Sequence, residues 1–457
     1  MSNLWILTEE RPKDYVLGNI LKLKQQDLDV SQIEIIPRIE NEKFEFVYDI
    51  EGINYPGVEN IYLKIVSGKS SFFDYIVVLQ DEEPDPIDKN INILYVVEET
   101  KTNDQESRNT AIYQRASKFV YVDLYYKNLE KYMMYNEESN GDFERMPSDT
   151  NIFGTNMLLT IGTKFYGKNM KWYKAFETLE ELIDFKSNMS SPPSGNTPIN
   201  IKKFENRIEV SGMLSKPCDK GNIGHDPNIG ALSIICKVIR ALGWNKKIVI
   251  THHGVKQSYI NRLRNGNKFI YICQDLNIEL EGIDMPNYLI PDKYWKYEEK
   301  SEKVATILTH IQCENNGYTA IYENHAGCER GYFFDKMKRP ITLPKKDRNG
   351  VNLYIPDLIL YDAINQEVLL IEGKQYSTLG EGIKEIENYN SIEREFIRPN
   401  YPDCKIERWI TLFGGNNKSI PHDKVLLQLT NDGKILINEF APEFFKDAFA
   451  GNKLAFA

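Results

Sequence analysis

The chain has 457 residues, too many for one ordinary hydrophobic core, so two or three domains are expected. Hydrophobic residues make up 41% and charged residues 27%, proportions that exclude a disordered chain. The formal net charge of −10 argues against nucleic-acid binding unless basic residues are concentrated locally. No apolar run approaches the roughly 20 residues that span a bilayer, and the first residues lack a signal peptide's features, so a cytoplasmic protein without membrane contact is expected.

The first 186 residues alternate between predicted strands and helices, which indicates an α/β domain. A helix is predicted over Asp14–Gln26 from apolar residues at helical spacing. Strands are predicted from β-branched and aromatic content at Leu4–Leu7, Ile33–Ile36, Phe44–Tyr48, Ile61–Val66, Tyr75–Leu79 and Ile93–Val97. The segment Ser187–Asn196, rich in Ser, Pro and Gly, predicts a linker after this domain.

Residues 187–293 are predicted to be this linker followed by a basic DNA-recognition region. Helices are expected at Ala231–Leu242 and Lys256–Arg264, and strands at Lys247–Ile250 and Phe269–Ile272. Between Pro227 and Gln274 there are eight Lys and Arg residues and no Asp or Glu, the pattern expected of phosphate contact. The candidate DNA-binding residues here are Lys246, Lys247, Lys256, Gln257, Asn261, Arg262 and Arg264. The alternative is a solvated basic face.

Residues 294–457 are predicted to form the third domain, starting with a helix at Val304–Cys313. A second basic cluster in this segment is opposed within its span only by Asp347, and it precedes the acidic residues considered next. Its candidate DNA-binding residues are Lys336, Lys338, Arg339, Lys345 and Lys346. The segment Gly221–Gly230 lacks the Gly-Lys-Ser/Thr of a Walker loop, so no nucleotide cofactor is expected.

Two apolar segments, Ile355–Tyr361 and Val368–Lys374, flank a polar turn and predict a β-hairpin. Alternation along the second strand places Glu372 and Lys374 on one face, and Asp357 starts the neighbouring strand, so the three side chains are expected to converge. Two carboxylates supply the hard oxygen ligands that Mg²⁺ prefers, and the lysine can orient water or stabilise negative charge. The alternative is an ordinary hairpin with a surface salt bridge.

Pro356-Asp357, fourteen further residues and then Glu372-Gly373-Lys374 resemble the PD-(D/E)XK motif of type II restriction endonucleases. The predicted helix over Glu381–Phe396 resembles the helix that follows this motif in the family. The resemblance implies a restriction-endonuclease-like core of mixed β-sheets flanked by helices, with Asp357 and Glu372 as metal ligands. It also implies a helix carboxylate upstream, for which Glu323 and Glu329 are candidates.

The same resemblance implies a function: Mg²⁺-dependent, sequence-specific hydrolysis of double-stranded DNA by a restriction system. A cognate DNA methyltransferase is then an expected partner, and a homodimer is left open. Two alternatives remain at this point. One is a DNA-binding protein whose nuclease folds are degenerate, and the other is a repair or defence nuclease that reads DNA structure.

A second motif of this kind ends the predicted strand Ile93–Val97, in Glu98-Glu99-Thr100-Lys101. Glu99 and Lys101 share a face, with Glu98 on the other, and Asp74 on the preceding strand is the candidate partner of Glu99 in catalysis and metal binding. A polar segment follows, with candidate DNA contacts at Arg108, Asn109, Gln114 and Arg115. Two such sites allow either one cut per strand from a monomer, or one active site beside a recognition domain.

Overall fold

The computed structural model describes residues 2–41, 43–68, 72–85, 91–100, 111–135, 146–189, 199–212, 227–291, 297–324 and 332–450. The chain forms two compact units, neither of which is one continuous segment. Unit 1 comprises Met1–Ser67, Val78–Pro84 and Tyr297–Ala457. Unit 2 comprises Gly68–Val77 and Asp85–Lys296.

The described residues form a mixed α/β structure in which several mixed sheets are flanked by helices. The strands of the N-terminal and middle parts are β1 (Ser2–Thr8), β2 (Glu34–Glu40), β3 (Lys43–Glu51), β4 (Val58–Ile65), β5 (Ser67–Gly68), β6 (Tyr75–Gln80), β7 (Ile93–Thr100), β8 (Glu130–Tyr135), β9 (Thr163–Tyr166), β10 (Asn200–Lys203), β11 (Arg207–Ser211), β12 (Lys247–Thr251) and β13 (Ile278–Leu280). The strands of the C-terminal part are β14 (Tyr297–Glu298), β15 (Thr319–Glu323), β16 (Tyr332–Phe334), β17 (Pro340–Thr342), β18 (Leu358–Asp362), β19 (Glu367–Gln375), β20 (Lys405–Phe413), β21 (Val425–Leu429) and β22 (Ile435–Ile437). The helices are α1 (Asp14–Lys22), α2 (Ala111–Val122), α3 (Asp149–Thr160), α4 (Leu179–Asn188), α5 (Pro227–Ala241), α6 (Gln257–Ile260), α7 (Lys268–Asp275), α8 (Glu302–Asn315), α9 (Leu379–Glu387), α10 (Asn390–Ile392), α11 (Arg398–Asn400) and α12 (Glu443–Ala450).

A six-stranded sheet in the order β15-β18-β19-β20-β21-β22 organises the C-terminal part of unit 1. β18 and β19 form the predicted antiparallel hairpin, whereas β20 runs parallel to β19 on its other side. Val368–Ile371 in β19 are fully buried, which explains why this strand is a continuous apolar run rather than an alternating one. The remaining strands of unit 1 include β2, β3, β4 and β1, with β1 parallel to β4.

Helices α8 and α9 cover opposite faces of this sheet. The hydroxyls of Thr306 on α8 and Thr411 on β20 form a hydrogen bond. Thr411 is paired with Gly373 of the neighbouring strand β19. Glu385 of α9 contacts Lys374 instead. Neighbouring residues of a strand point to opposite faces of the sheet. Helix α8 therefore lies on the face of Gly373, and α9 lies on the face of Lys374.

In unit 2, β6, β7, β8 and β9 are neighbours in that order, and β7, β8 and β9 are parallel to one another. Helix α2 connects β7 to β8 and packs against α5 and α7. A second sheet has the order β10-β11-β12-β13. It is antiparallel between β10 and β11 and parallel elsewhere.

Most of the predicted elements are confirmed, but three are not as expected. Phe269–Ile272, predicted as a strand from its apolar and β-branched residues, lies in helix α7, where the Asn267 side chain caps the helix by accepting the Ile270 amide at 3.0 Å. The helix predicted over Lys256–Arg264 is limited to Gln257–Ile260. The helix predicted over Glu381–Phe396 ends at Glu387, and the chain continues through α10 and a short π-helix.

Among the described residues, no helix combines the length and apolar character needed to cross a membrane. The segment predicted as a linker lies mostly outside them, since α4 continues to Asn188 and the description resumes at residue 199.

Candidate active site

Asp357 and the end of β19 meet in unit 1, as the sequence predicts. Leu358 pairs with Ile371 across the antiparallel ladder, which places Asp357 beside Glu372. The Asp357 carboxylate is fixed there because its Oδ2 accepts the backbone amide of Gly373 at 3.0 Å. The strand register therefore positions both carboxylates before any ligand binds.

Lys374 completes the group and connects it to helix α9. Its Nζ lies 2.7 Å from Glu372 Oε1 and 2.6 Å from Glu385 Oε2. The other carboxylate oxygen of Glu372 accepts a hydrogen bond from the buried Tyr389 hydroxyl. We refer to Asp357, Glu372, Lys374 and Glu385 as the Glu372 centre.

Two glycines allow the helices to approach this centre closely. A Cβ atom on Gly373 would lie 2.4 Å from Thr306 Oγ1 of α8, and one on Gly382 would lie 2.7 Å from Cγ of Lys374. Both distances are far below van der Waals contact, so a larger residue forces either the helix or the lysine to move. The glycine between Glu372 and Lys374 is thus required by packing against α8.

The carboxylates of the centre are hard to ionise together. Burial raises the pKa of Asp357, and the charges of Glu302 and Glu385 raise it further. Burial also raises the pKa of Glu372, to which the charge of Asp357 and the hydrogen bond with Glu385 add. Although burial opposes it, contact with Glu372 and Glu385 raises the pKa of Lys374, which stays protonated. The centre therefore has a shortage of positive charge.

The charge of Glu302, on α8, raises the pKa of Asp357. As the upstream helix carboxylate, the sequence predicts Glu323 or Glu329 instead. Glu323 lies on β15 and not on a helix, and its Oε2 lies 3.5 Å from Nδ1 of the buried His310. Glu329 is outside the described residues.

The composition of the Glu372 centre fits a hard divalent cation. Together with Glu302 it brings four carboxylates around one ammonium group. Within the described residues no three His, Cys, Asp or Glu side chains form a ready metal-binding group. Asp357 and Glu372 are the residues that would hold such an ion, with water molecules as further ligands.

The second predicted site, in unit 2, has a different set of residues from the one expected. Asp74 Oδ2 accepts the Glu99 backbone amide at 2.7 Å, so the two predicted residues do meet. The Glu99 carboxylate, however, accepts the hydroxyl of Tyr75 at 3.0 Å. Glu98, on the other face of β7, has both oxygens 2.8 Å from Nζ of Lys118.

Further cations surround Glu98. Arg115 Nε lies 3.3 Å from its Oε1. The buried Lys268 of α7 is close enough for the Glu98 and Lys118 charges to affect its pKa. We refer to Asp74, Glu98, Arg115, Lys118 and Lys268 as the Glu98 centre. The predicted Lys101, Arg108 and Asn109 lie outside the described residues, as does the side chain of Gln114.

The predicted DNA-binding residues of the middle region divide into two groups. Lys246 donates to the Glu205 carbonyl at 2.8 Å, Lys247 contacts Glu279 at 2.6 Å, and Gln257 hydrogen-bonds to the backbone of Asp284, so these three have structural partners. The other candidates are Lys256, Asn261, Arg262 and Arg264, all of them exposed, and Asn261 Oδ1 accepts a hydrogen bond from Gln257 at 2.9 Å.

The second basic cluster lies on the surface of unit 1. Arg339 contacts Asp335 through two nitrogens, each at 2.7 Å, although its side chain stays 71% exposed. The remaining members are exposed, namely Lys336, Lys338, Lys345 and Lys346. These side chains therefore form a local concentration of exposed positive charge in unit 1.

Six residues in or beside the two centres are not among the site residues predicted from the sequence: Glu302, Glu385, Tyr389, Glu98, Lys118 and Lys268. Glu385 and Tyr389 are four residues apart in the segment after the motif strand, and this spacing in a predicted helix is a signal that was available. Lys118 gave no such signal, because nothing in its local sequence indicates contact with Glu98.

Comparisons with protein-family models, with curated proteins and with solved structures found no match for this chain. The functional argument therefore depends on the geometry and charge of the two centres.

Proposed function

We propose that this protein is a Mg²⁺-dependent endonuclease that cleaves double-stranded DNA at specific sequences, in the manner of type II restriction enzymes. The hairpin of β18 and β19, the helix α9 that follows it and the parallel strand β20 support this proposal. One observation carries it: Asp357, Glu372 and Lys374 converge beside an excess of carboxylates.

Asp357 and Glu372 would hold the metal ion. Bound Mg²⁺ supplies charge neutralisation at the scissile phosphate and lowers the pKa of a bound water. The protein prepares for this by fixing Asp357 on the Gly373 amide and Glu372 on Tyr389 before the ion arrives. Their raised pKa values favour an added cation, because a positive charge relieves their repulsion.

Lys374 would act on the reacting water and phosphate. Its side chain is 16% exposed, and its charged ammonium group lies between Glu372 and Glu385, so it can donate to a water or a phosphate oxygen at the centre. In the reaction the water oxygen forms a bond to phosphorus, the ester oxygen–phosphorus bond breaks, and the departing oxygen takes a proton. Lys374 stabilises the negative charge that develops meanwhile.

Exposed cations in both units supply the means of holding DNA. In unit 1 they include Lys336 and Lys338, and in unit 2 Arg262 and Arg264. Contacts of this kind position a duplex without reading its sequence. They also reconcile DNA binding with a net charge of −10, because the positive charge is local.

A DNA-binding protein without cleavage is the second candidate, since Glu372 already has a partner on each oxygen, in Lys374 and Tyr389. This closed arrangement would be stable without a metal ion. A binder of this kind retains DNA in EDTA and never cuts it. A nuclease that reads DNA structure instead of sequence would cut without giving discrete fragments.

The test is incubation of the purified protein with unmethylated phage DNA and Mg²⁺, beside Glu372→Gln and Glu381→Gln variants. Glu381 is an exposed carboxylate on α9 and serves as the matched control. Discrete fragments from the wild type and the control, with none from Glu372→Gln, support the proposal. The proposal is contradicted if the wild type binds DNA but does not cleave it at any Mg²⁺ concentration tested.

A further inference from the structure

Two turns of unit 1 are built in the same way around a buried aspartate. The 335–339 turn joins β16 to β17, and the 347–351 turn follows β17. In each turn Oδ1 of the first residue, Asp335 or Asp347, accepts the amides of the residues two and four positions later, at 2.8 to 2.9 Å. Backbone hydrogen bonds close both turns at the same positions. The two turns can therefore be compared residue by residue.

The fourth residue of each turn has a left-handed backbone conformation. It is Gly350 in one turn, with a φ of 80°, and Lys338 in the other, with a φ of 58°. Glycine adopts this conformation without a steric penalty, whereas the backbone of a lysine is strained there. The Lys338 side chain is exposed, so burial does not offset the strain. Strain that is retained at an exposed position indicates that the side chain has a function.

This turn combines its strained lysine with an exposed methionine. Met337 is 75% exposed, and the exposed Lys336 and Lys338 flank it in the chain. Ile364, in the turn between β18 and β19, is similarly exposed, at 77%, but residues 362–366 include no Lys or Arg. Exposure of an apolar side chain is thus not informative by itself. Met337 differs because positive charge on both sides attracts a polyanion and brings the apolar side chain against it.

The 335–339 turn is also fixed relative to the Glu372 centre. Phe333, which precedes the turn, is fully buried and belongs to the same hydrophobic cluster as Tyr389, the residue that donates to Glu372. On the other side of that cluster, the Tyr401 hydroxyl donates to the carbonyl of Phe334 at 2.9 Å. A ligand that binds the turn is therefore held in a defined position relative to the centre.

We infer that the 335–339 turn enters the minor groove of duplex DNA and inserts Met337 between two base pairs. Lys336 and Lys338 bind the phosphates that border the groove, while the apolar side chain partly unstacks the bases and kinks the duplex. Because some base-pair steps unstack more easily than others, the kink favours particular sequences without a hydrogen bond to any base. This inference rests on the proposed function in taking duplex DNA as the ligand.

The test for insertion uses a change that unstacking makes in any plasmid, whatever its sequence. A metal-independent topoisomerase relaxes the plasmid in EDTA while the full-length protein is bound, and the protein is then removed. Unwinding by the wild type should leave negative supercoils. Met337→Ala should leave a relaxed plasmid, while its Kd for a fluorescein-labelled duplex changes by less than about threefold, because the lost contact and the saved unstacking offset each other. Ile364→Ala is the matched control and should behave as the wild type.

Lys338 gives a second test, which separates its charge from its backbone strain. Lys338→Ala and Lys338→Gly should both weaken duplex binding in EDTA and reduce the salt slope by about 1, because each removes one phosphate contact. Lys338→Gly should also raise the melting temperature by about 2 °C relative to Lys338→Ala, since glycine relieves the left-handed strain. Melting followed by circular dichroism measures this difference and confirms that both variants fold. Wild-type affinity and salt slope in Lys338→Gly would contradict a phosphate contact by this lysine.

The outcomes separate this inference from the proposed function. If the wild type binds duplex DNA but Met337→Ala leaves as many supercoils as the wild type, or the wild type leaves none, the inference is overturned and the proposed function stands. If the wild type binds no duplex, both fail. Phosphatidylserine vesicles are the remaining probe. If they sediment with the wild type but not with Met337→Ala, while both proteins bind and unwind DNA equally, the turn binds an anionic membrane surface and the inference is overturned.

Discussion

The Glu372 centre and the Glu98 centre share one backbone arrangement but differ in the side chains that surround it. Both fix an aspartate on a strand amide and place a glutamate beside it. In unit 1 the neighbouring helix adds the carboxylate of Glu385, whereas in unit 2 it adds Lys118 and Arg115. The strand end sets the geometry, and the helix that follows it decides which charged side chains contact the glutamate.

Removing the lysine of the Glu372 centre should have the largest effect on activity. Lys374→Ala should lower the cleavage rate by about 10³-fold, because a positioned donor at the developing negative charge is lost. Duplex binding in EDTA should persist, since the cations exposed on both surfaces remain. Lys384→Ala, at an exposed lysine on the neighbouring helix α9, should cleave at the wild-type rate in the same plasmid assay.

Enlarging Gly373 should have the largest effect on stability. Gly373→Ala places a Cβ atom 2.4 Å from Thr306 Oγ1, and the overpacking should lower the free energy of unfolding by about 2 kcal/mol. Thr306→Ala in the same chain should restore part of this loss, since it removes the hydroxyl that collides. Urea denaturation of the single and double variants measures both effects, and additive losses would show that the contact is not the cause.

Neutralising Glu372 should stabilise the metal-free protein while abolishing cleavage. The raised pKa means that the folded protein binds this proton more tightly than the unfolded chain, so wild-type stability falls as pH rises from the ordinary value of 4.5 through the raised value. Glu372→Gln should remove this fall in stability and increase the free energy of unfolding by about 1 kcal/mol at mildly alkaline pH. Thermal unfolding in EDTA across this range is the measurement, and a destabilised variant would contradict the account.

Replacing Lys268 should have a smaller effect on stability than replacing Glu372, and its dependence on pH should be opposite. Its pKa is lowered from 10.5 to about 8, so the folded protein binds the proton less tightly, and stability should rise with pH across that window. Lys268→Met should lose this rise in stability. The change in stability should be smaller than for Glu372→Gln, because the lysine side chain can extend towards solvent. Melting temperatures at the two ends of the window test this, and equal slopes for both proteins would count against it.

Local patterns predicted much of the fold, and the misses have physical causes. The hairpin of β18 and β19 and the shared face of Glu372 and Lys374 follow from strand periodicity and are confirmed. Phe269–Ile272 was wrongly predicted as a strand because four apolar residues do not distinguish a strand from a buried helix. The cap by Asn267 was the deciding signal.

Long-range contacts were the part of the site that sequence could not supply. The alternation that separates Glu98 from Glu99 was read correctly, but the choice between them depends on which face meets α2. Lys118 is twenty residues beyond Glu98, and Lys268 is farther still. Such contacts come from helix packing, which a local pattern does not specify.

The most direct test of the central claim is Mg²⁺-dependent conversion of supercoiled plasmid by the wild type, Glu372→Gln and Glu381→Gln. We expect linear product from the wild type and from Glu381→Gln, none in EDTA, and neither nicked nor linear product from Glu372→Gln. Cleavage by Glu372→Gln at the wild-type rate would show that the Glu372 centre is not the active site.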